Sequence, residues 1–171
     1  MDKSTDRPTP LGETDLMQRL AALGIVTRTV GHPPVFTVEE AKRLRGELPG
    51  GHCKSLFLRN KKGEMWLLVA LEDRLVDLKS LGERLGSGRL SFGSAERLMR
   101  HLGIIPGAVT PFAVVNDRER SVKVALDSGL FRHDLLNLHP LRNDRTTAIA
   151  PGDLVRFLET EGHPPLILDL E

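Results

Sequence analysis

The chain has 171 residues, 40% hydrophobic and 27% charged, with a formal net charge of +1. That length supports one domain with its own core, and the near-neutral charge excludes a protein that coats nucleic acid by bulk electrostatics while permitting a local basic face. The single cysteine, Cys53, excludes an internal disulfide and a cysteine-rich zinc site and fits a reducing cytoplasm. No run approaches the ~20 apolar residues of a membrane span, and residues 1–6 lack the apolar core of an export signal.

Residues 1–11 are polar, carry Pro8 and Pro10, and are expected as a flexible tail before a single domain over 12–171. Leu16, Met17, Leu20, Ala21 and Leu23 line one side of a predicted helix, with Thr14 as its N-cap and Gly24 just past its end. Val26 to Val30 alternates as a strand does. Thr37-Val38-Glu39-Glu40 has the form of a capping box, which predicts a helix from Val38 to about Arg45. A Pro/Gly loop then leads into a strand from about Cys53 to Arg59. The turn Asn60-Lys61-Lys62-Gly63 returns the chain as a second strand, Glu64 to Leu71.

Asp77 and Ser94 are suited to cap helices that stop at Gly86 and Gly103. Beyond them, Phe112 to Val115, Val122 to Leu126 and Leu135 to His139 are apolar and are expected as strands, the first two joined by a hairpin turn at Asn116–Arg120. Thr146 to Ala150 is a short strand, Pro151 to Glu161 a helix with proline in its first turn, and Leu166 to Leu170 a closing strand. Mixed strands and helices with few βα alternations point to an α+β domain with a mixed, mostly antiparallel sheet.

Three places could carry chemistry. Lys54 begins a core strand, where an ammonium either escapes to solvent or holds an anion at the mouth of a cleft. Gly107-Ala108-Val109-Thr110-Pro111 follows a helix; a glycine free in its backbone angles and a stiffening proline can present N–H and C=O groups to a ligand, although such a loop is equally an ordinary connection. His139 ends an apolar strand and can hydrogen-bond a substrate or move a proton, or simply cap the strand; Asn143 beyond it is a turn former or a pocket group. Cys53 as a nucleophile is disfavoured, because adjacent strand residues face opposite ways and a cysteine turned from the cleft serves as a small core hydrophobe.

Six histidines are present without a ligand pair on one helix face, and no G-x-S-x-G, P-loop or G-x-G-x-x-G occurs. With no tyrosine and one tryptophan, a base-stacking platform is disfavoured as well. Lys42, Arg43 and Arg45, and Arg97 with Arg100, form basic helical runs that read as solvated faces or phosphate contacts.

Four segments together resemble the YbaK/prolyl-tRNA synthetase editing-domain superfamily, in particular its freestanding bacterial deacylases of Ala-tRNA(Pro): His32-Pro33-Pro34-Val35-Phe36-Thr37-Val38-Glu39-Glu40-Ala41, His52-Cys53-Lys54-Ser55-Leu56-Phe57-Leu58, Gly107–Pro111, and Leu136-Asn137-Leu138-His139-Pro140-Leu141-Arg142-Asn143. The likeness spans about residues 12–171. It implies a distorted, barrel-like sheet with helices around it, and hydrolysis of the ester between a small amino acid and the terminal adenosine of a tRNA. It also implies that Lys54, Gly107 and His139 are the catalytic set, with Thr37, Ser55, Ala108, Val109, Thr110, Pro111 and Asn143 on the substrate. Lys54 would hold the terminal phosphate or ribose, the 107–111 backbone would place the ribose hydroxyl and the attacking water, and His139 would line the aminoacyl pocket. The resemblance implies no metal or cofactor, and implies that the substrate's own ribose hydroxyl would help activate water. The implied partners are the tRNA(Pro) acceptor end and prolyl-tRNA synthetase. Family members commonly carry asparagine where this chain has Ser55, which leaves alanine, serine and cysteine open as the amino acid removed. A non-catalytic module that holds an aminoacyl-tRNA end is the other reading of the same residues.

Overall fold

The computed structural model describes residues 9–34, 37, 39 and 48–170. Helix α1 covers Glu13–Ala22 and strand β1 Arg28–Gly31. Strands β2 (Gly51–Arg59) and β3 (Met65–Leu71) form the predicted hairpin. Helix α2 (Leu78–Leu85), strand β4 (Ser91–Phe92) and helix α3 (Ala95–Leu102) follow, then β5 (Val122–Asp127), β6 (Leu136–Leu138), β7 (Arg145–Ile149), helix α4 (Pro151–Thr160) and β8 (Leu166–Leu168).

The strands lie in the order β1-β7-β6-β2-β3-β5-β8, with β4 on the far end of β2. Four of the pairings are antiparallel, and β2–β6, β3–β5 and β5–β8 are parallel, so the sheet is mixed, as expected. Strand β2 is the junction: β3 runs along one edge, while β6 pairs with its first residues and β4 with its last. This brings Gly51 and His52 beside Leu136 and Asn137, and so gathers the start of β2 and the end of β6 at one end of the sheet.

Burial explains the pattern of β3, which is apolar throughout because both its faces are covered. One cluster packs Leu16 and Leu20 of α1, Val69, Leu126 and Leu136 of the sheet, and Leu154 and Phe157 of α4. A second joins Phe57, Leu67, Leu98 and Leu102, and a third Leu58, Trp66, Leu68 and Leu81. Asp77 and Ser94 cap α2 and α3 by accepting from the Lys79 and Arg97 N–H groups, and Gly86 and Gly103 close those helices in the left-handed conformation, as predicted. Among the described residues, no helix is long and apolar enough to cross a membrane.

Several expectations are corrected. Pro111–Asn116 is a 3₁₀ segment rather than a strand, so no hairpin turns at 116–120. Pro111 pre-sets φ and lacks an N–H, and the Thr110 hydroxyl accepts from the Phe112 N–H, a start suited to a helical turn. A short apolar run buried on all sides reads the same from sequence in either state. Helix α1 starts at Glu13 with Gly12 as its N-cap instead of Thr14; Asp15 Oδ2 accepts from the Gly12 N–H at 3.1 Å. Leu11, inside the stretch read as a tail, is held by Asn116, whose Oδ1 accepts its N–H at 2.7 Å. Of the segment with the predicted capping box, helix and basic run Lys42, Arg43 and Arg45, only Thr37 and Glu39 are described, so those readings lie outside the described residues, as do residues 1–8.

Candidate functional site

Lys54 sits near the start of β2, opposite Ala70. Strand alternation turns it to the side of Leu56 and Leu58, while Cys53 packs on the main core from the other face. The Lys54 ammonium donates to the Arg74 carbonyl in the turn after β3. Burial lowers its pKa from the ordinary lysine value, opposed by the nearby carboxylates of Asp73 and Glu72. Burial also pushes the Cys53 thiol up to about 12, which leaves it protonated at neutral pH and unsuited to attack.

His139 stands just past β6. Its Nδ1–H donates to the Arg145 carbonyl at 2.9 Å, which puts the proton on Nδ1 and leaves Nε2 with a lone pair. Burial lowers its pKa and the neighbouring His32 adds to this, while the Arg145 carbonyl and Asp144 oppose. The imidazole is therefore neutral near pH 7. The His32 and His139 rings lie 6.2 Å apart between centroids. His32 has its own anchors, the Pro33 carbonyl at Nδ1 and the Thr146 hydroxyl at Nε2, each at 2.8 Å.

The 107–111 loop differs from its expected character. Gly107 lies in a 3₁₀ turn, Pro106–Ala108, and does not have a positive φ. The Ala108 N–H is spent on the Ile105 carbonyl, and Ala108, Thr110 and Pro111 are buried, with the Thr110 hydroxyl committed to its cap. Gly107 and Val109 are the half-exposed members. Val109 and Leu141 both pack against the cluster that holds Phe57, and Ser55 shares the β2 face of Cys53 and Phe57. Leu141 has φ +69°, a left-handed backbone that a branched apolar residue adopts only at a cost. Asn143 is nearly buried, and Thr37 is exposed. Lys54 and His139 thus mark the same end of the sheet, and Leu141, two residues beyond His139, packs against the same cluster as Val109.

Sequence reasoning missed Arg74, Asp127 and Thr146. Arg74 Nε donates to Asp127 Oδ2 at 3.1 Å, and Asp127 is fully buried. A buried acidic residue at a strand end is a sequence signal in retrospect; Arg74 carries none. Among the described residues, no group of three or more His, Cys, Asp or Glu is arranged to hold a metal ion.

The aminoacyl-tRNA editing domain family matches residues 32–157, a span that contains Lys54, the 107–111 loop and His139. The chain belongs to that family, a class of aminoacyl-tRNA deacylases that hydrolyse the ester joining an amino acid to tRNA. Among its relatives, the prolyl-tRNA synthetase associated domain-containing protein 1 of Bos taurus is 40% identical, covering 91% of this chain and 94% of the relative. The prolyl-tRNA editing protein ProX of Acetoanaerobium sticklandii is 36% identical over 86% and 91%. The multifunctional Ser/Thr-tRNA deacylase ProXp-y of Escherichia coli is 27% identical over 84% and 89%. The fold agrees with the crystal structure of hypothetical protein APE2540, with TM-score 0.71 at 21% identity over 90% of this chain and 97% of that one. It also agrees with that of a candidate trans-editing enzyme for prolyl tRNA synthetase, with TM-score 0.69 at 22% identity over 92% and 95%.

Proposed function

We propose that the protein is a trans-editing enzyme that removes alanine from Ala-tRNA(Pro). Water adds to the ester carbonyl carbon, the bond from that carbon to the terminal ribose oxygen breaks, and alanine and uncharged tRNA(Pro) leave. A synthetase pocket built for proline cannot strongly reject something smaller, whereas a tight pocket in a second protein rejects the larger ring sterically.

The observation that carries this reading is the neutral His139, whose Nε2 can accept a hydrogen bond from the α-ammonium of the aminoacyl group. Leu141, Val109 and Phe57 supply apolar walls for a small side chain. Lys54 is the cation for the phosphate or ribose of the terminal adenosine, and Gly107 with Val109 offers backbone groups near the ribose hydroxyl and the attacking water. Ser55, Ala108, Thr110, Pro111, Asn143 and Thr37 complete the substrate side of this reading, Ala108, Thr110 and Pro111 as buried support.

Ser55 favours a second specificity within the same reaction. Its hydroxyl, where relatives by resemblance carry an amide, suits removal of serine or cysteine. The partner in either case is the acceptor end of a tRNA, tRNA(Pro) for alanine, working alone or beside prolyl-tRNA synthetase in the cytoplasm.

The test is single-turnover deacylation of Ala-, Pro-, Ser- and Cys-charged tRNA by wild type and Lys54→Ala. Loss of alanine alone, slowed about a hundredfold or more but still measurable in the variant, supports the reading. Hydrolysis of serine or cysteine esters moves the specificity to Ser55, and no hydrolysis by folded protein leaves an aminoacyl-tRNA binding module.

A further inference from the structure

The ammonium of Lys54 does not position itself. Its partner, the Arg74 carbonyl, belongs to the short link between β3 and α2, which also brings Glu72 and Asp73 near it. That link is fastened along its length, beginning with the Glu72 N–H, which donates to the His52 carbonyl at 2.8 Å. The Arg74 N–H donates to the Leu71 carbonyl at 3.0 Å, a local turn bond. The Arg74 side chain reaches across to β5, where Asp127 Oδ2 accepts from Nε at 3.1 Å.

Asp127 is built for this task. It is fully buried, its Oδ1 accepts from the Gly129 N–H at 3.1 Å, and the parallel β3–β5 ladder ends at Leu126, which fixes where it emerges. Glycine at position 129 leaves the guanidinium uncrowded: a Cβ there would stand 3.1 Å from Arg74 Nη2, a tight contact. A buried carboxylate with one bond to a backbone N–H and one to a guanidinium is held rigidly, and truncating either partner strands a charge.

We propose that Asp127 is a positioning residue for Lys54: it holds the Arg74 side chain, and the Arg74 backbone holds the Lys54 ammonium at the substrate end of the sheet. This rests on Lys54 being the cation that meets the tRNA terminus. Loosening the link lets the ammonium wander by an ångström or so, enough to cost about ten- to hundredfold in rate.

The test uses the full chain with Asp127→Asn, Arg74→Ala and Arg74→Lys, each also combined with Lys54→Ala. Single-turnover deacylation of the best aminoacyl-tRNA substrate is read beside urea denaturation. Asp127→Asn and Arg74→Ala should each lower the rate about ten- to hundredfold with Lys54 present and have no further effect once it is Ala. Arg74→Lys should recover part of the loss. A loss of equal size in both backgrounds marks a merely structural role and overturns the proposal, as does an unchanged rate in Asp127→Asn when Lys54→Ala is impaired. If Lys54→Ala keeps full activity, the role of Lys54 in the proposed function fails and the positioning role falls with it.

A second readout needs no activity. Trace acetylation of the folded proteins, followed by mass spectrometry, should show Lys54 labelled several-fold faster in Asp127→Asn and Arg74→Ala, with Lys61 and Lys62 unchanged. Equal labelling of Lys54 in all variants overturns the proposal even where one variant folds poorly.

Discussion

His163 Nε2 donates to Asp117 Oδ2 at 2.9 Å, and both side chains are buried. The contact joins the turn after α4 to the loop before β5. Burial pushes the Asp117 carboxyl up, but His163 and the Val122 and Ser121 N–H groups outweigh it and hold its pKa below the ordinary 3.8. Asp117→Ala leaves those donors without an acceptor, each costing about 1–3 kcal/mol, so we expect a loss of about 3 kcal/mol or more in urea denaturation. Because the folded pKa is depressed, the Asp117 contribution is full above pH 3.8 and fades as pH falls through the folded value. A loss under about 1 kcal/mol would show the pair to be incidental.

The depressed pKa of His139 sets the pH dependence. The unfolded chain takes up a proton near the ordinary value of 6.5 while the folded protein resists it, so this group favours unfolding as pH falls below 6.5. If neutral His139 serves the substrate, kcat/KM declines on the acid side with a midpoint below 6.5. An acid limb centred above 6.5, or one that survives in His139→Ala, would contradict that role.

Cys53 separates two mechanisms. With its thiol at about 12, Cys53→Ala should keep deacylation and lose about 1 kcal/mol of stability. Iodoacetamide should modify the thiol only after unfolding. A folded but inactive Cys53→Ala would make the protein a thiol hydrolase.

Leu141 combines a strained backbone with a packed side chain. Both Leu141→Ala and Leu141→Gly remove the packing, but only glycine accepts φ +69° without penalty. We therefore expect Leu141→Gly to be the more stable of the two by about 1 kcal/mol, the reverse of their usual order within regular structure. Both should also hydrolyse Pro-tRNA more readily, with discrimination for alanine reduced about tenfold. Unchanged discrimination would remove Leu141 from the pocket wall.

The β2–β3 hairpin, the capped helices α2 and α3, and the proline-led α4 were legible in the chain because each is encoded by neighbours: a Lys-Lys-Gly turn, Asp77 and Ser94 before their helices, glycines after them, Pro151 at a first turn. The four motif segments likewise pointed to the editing family. Phe112–Val115 was not legible as a 3₁₀ segment, since burial on every side erases the difference in period between strand and helix. Gly107, whose residue type permits unusual backbone angles, adopts an ordinary 3₁₀ turn conformation.

What the sequence determined on its own is therefore local: where elements start and stop, and which residue types could meet a phosphate, a ribose or an α-ammonium. Tertiary structure decided the rest. It placed β6 against β2, which gathers Lys54 and His139 at one end of the sheet. It also fixed the protonated nitrogen of His139 through Arg145, and tied Lys54 to Asp127 through Arg74. Those relationships depend on desolvation and on hydrogen bonds between residues far apart in the chain, and no local pattern of side chains records which distant partner will fill a buried donor or acceptor.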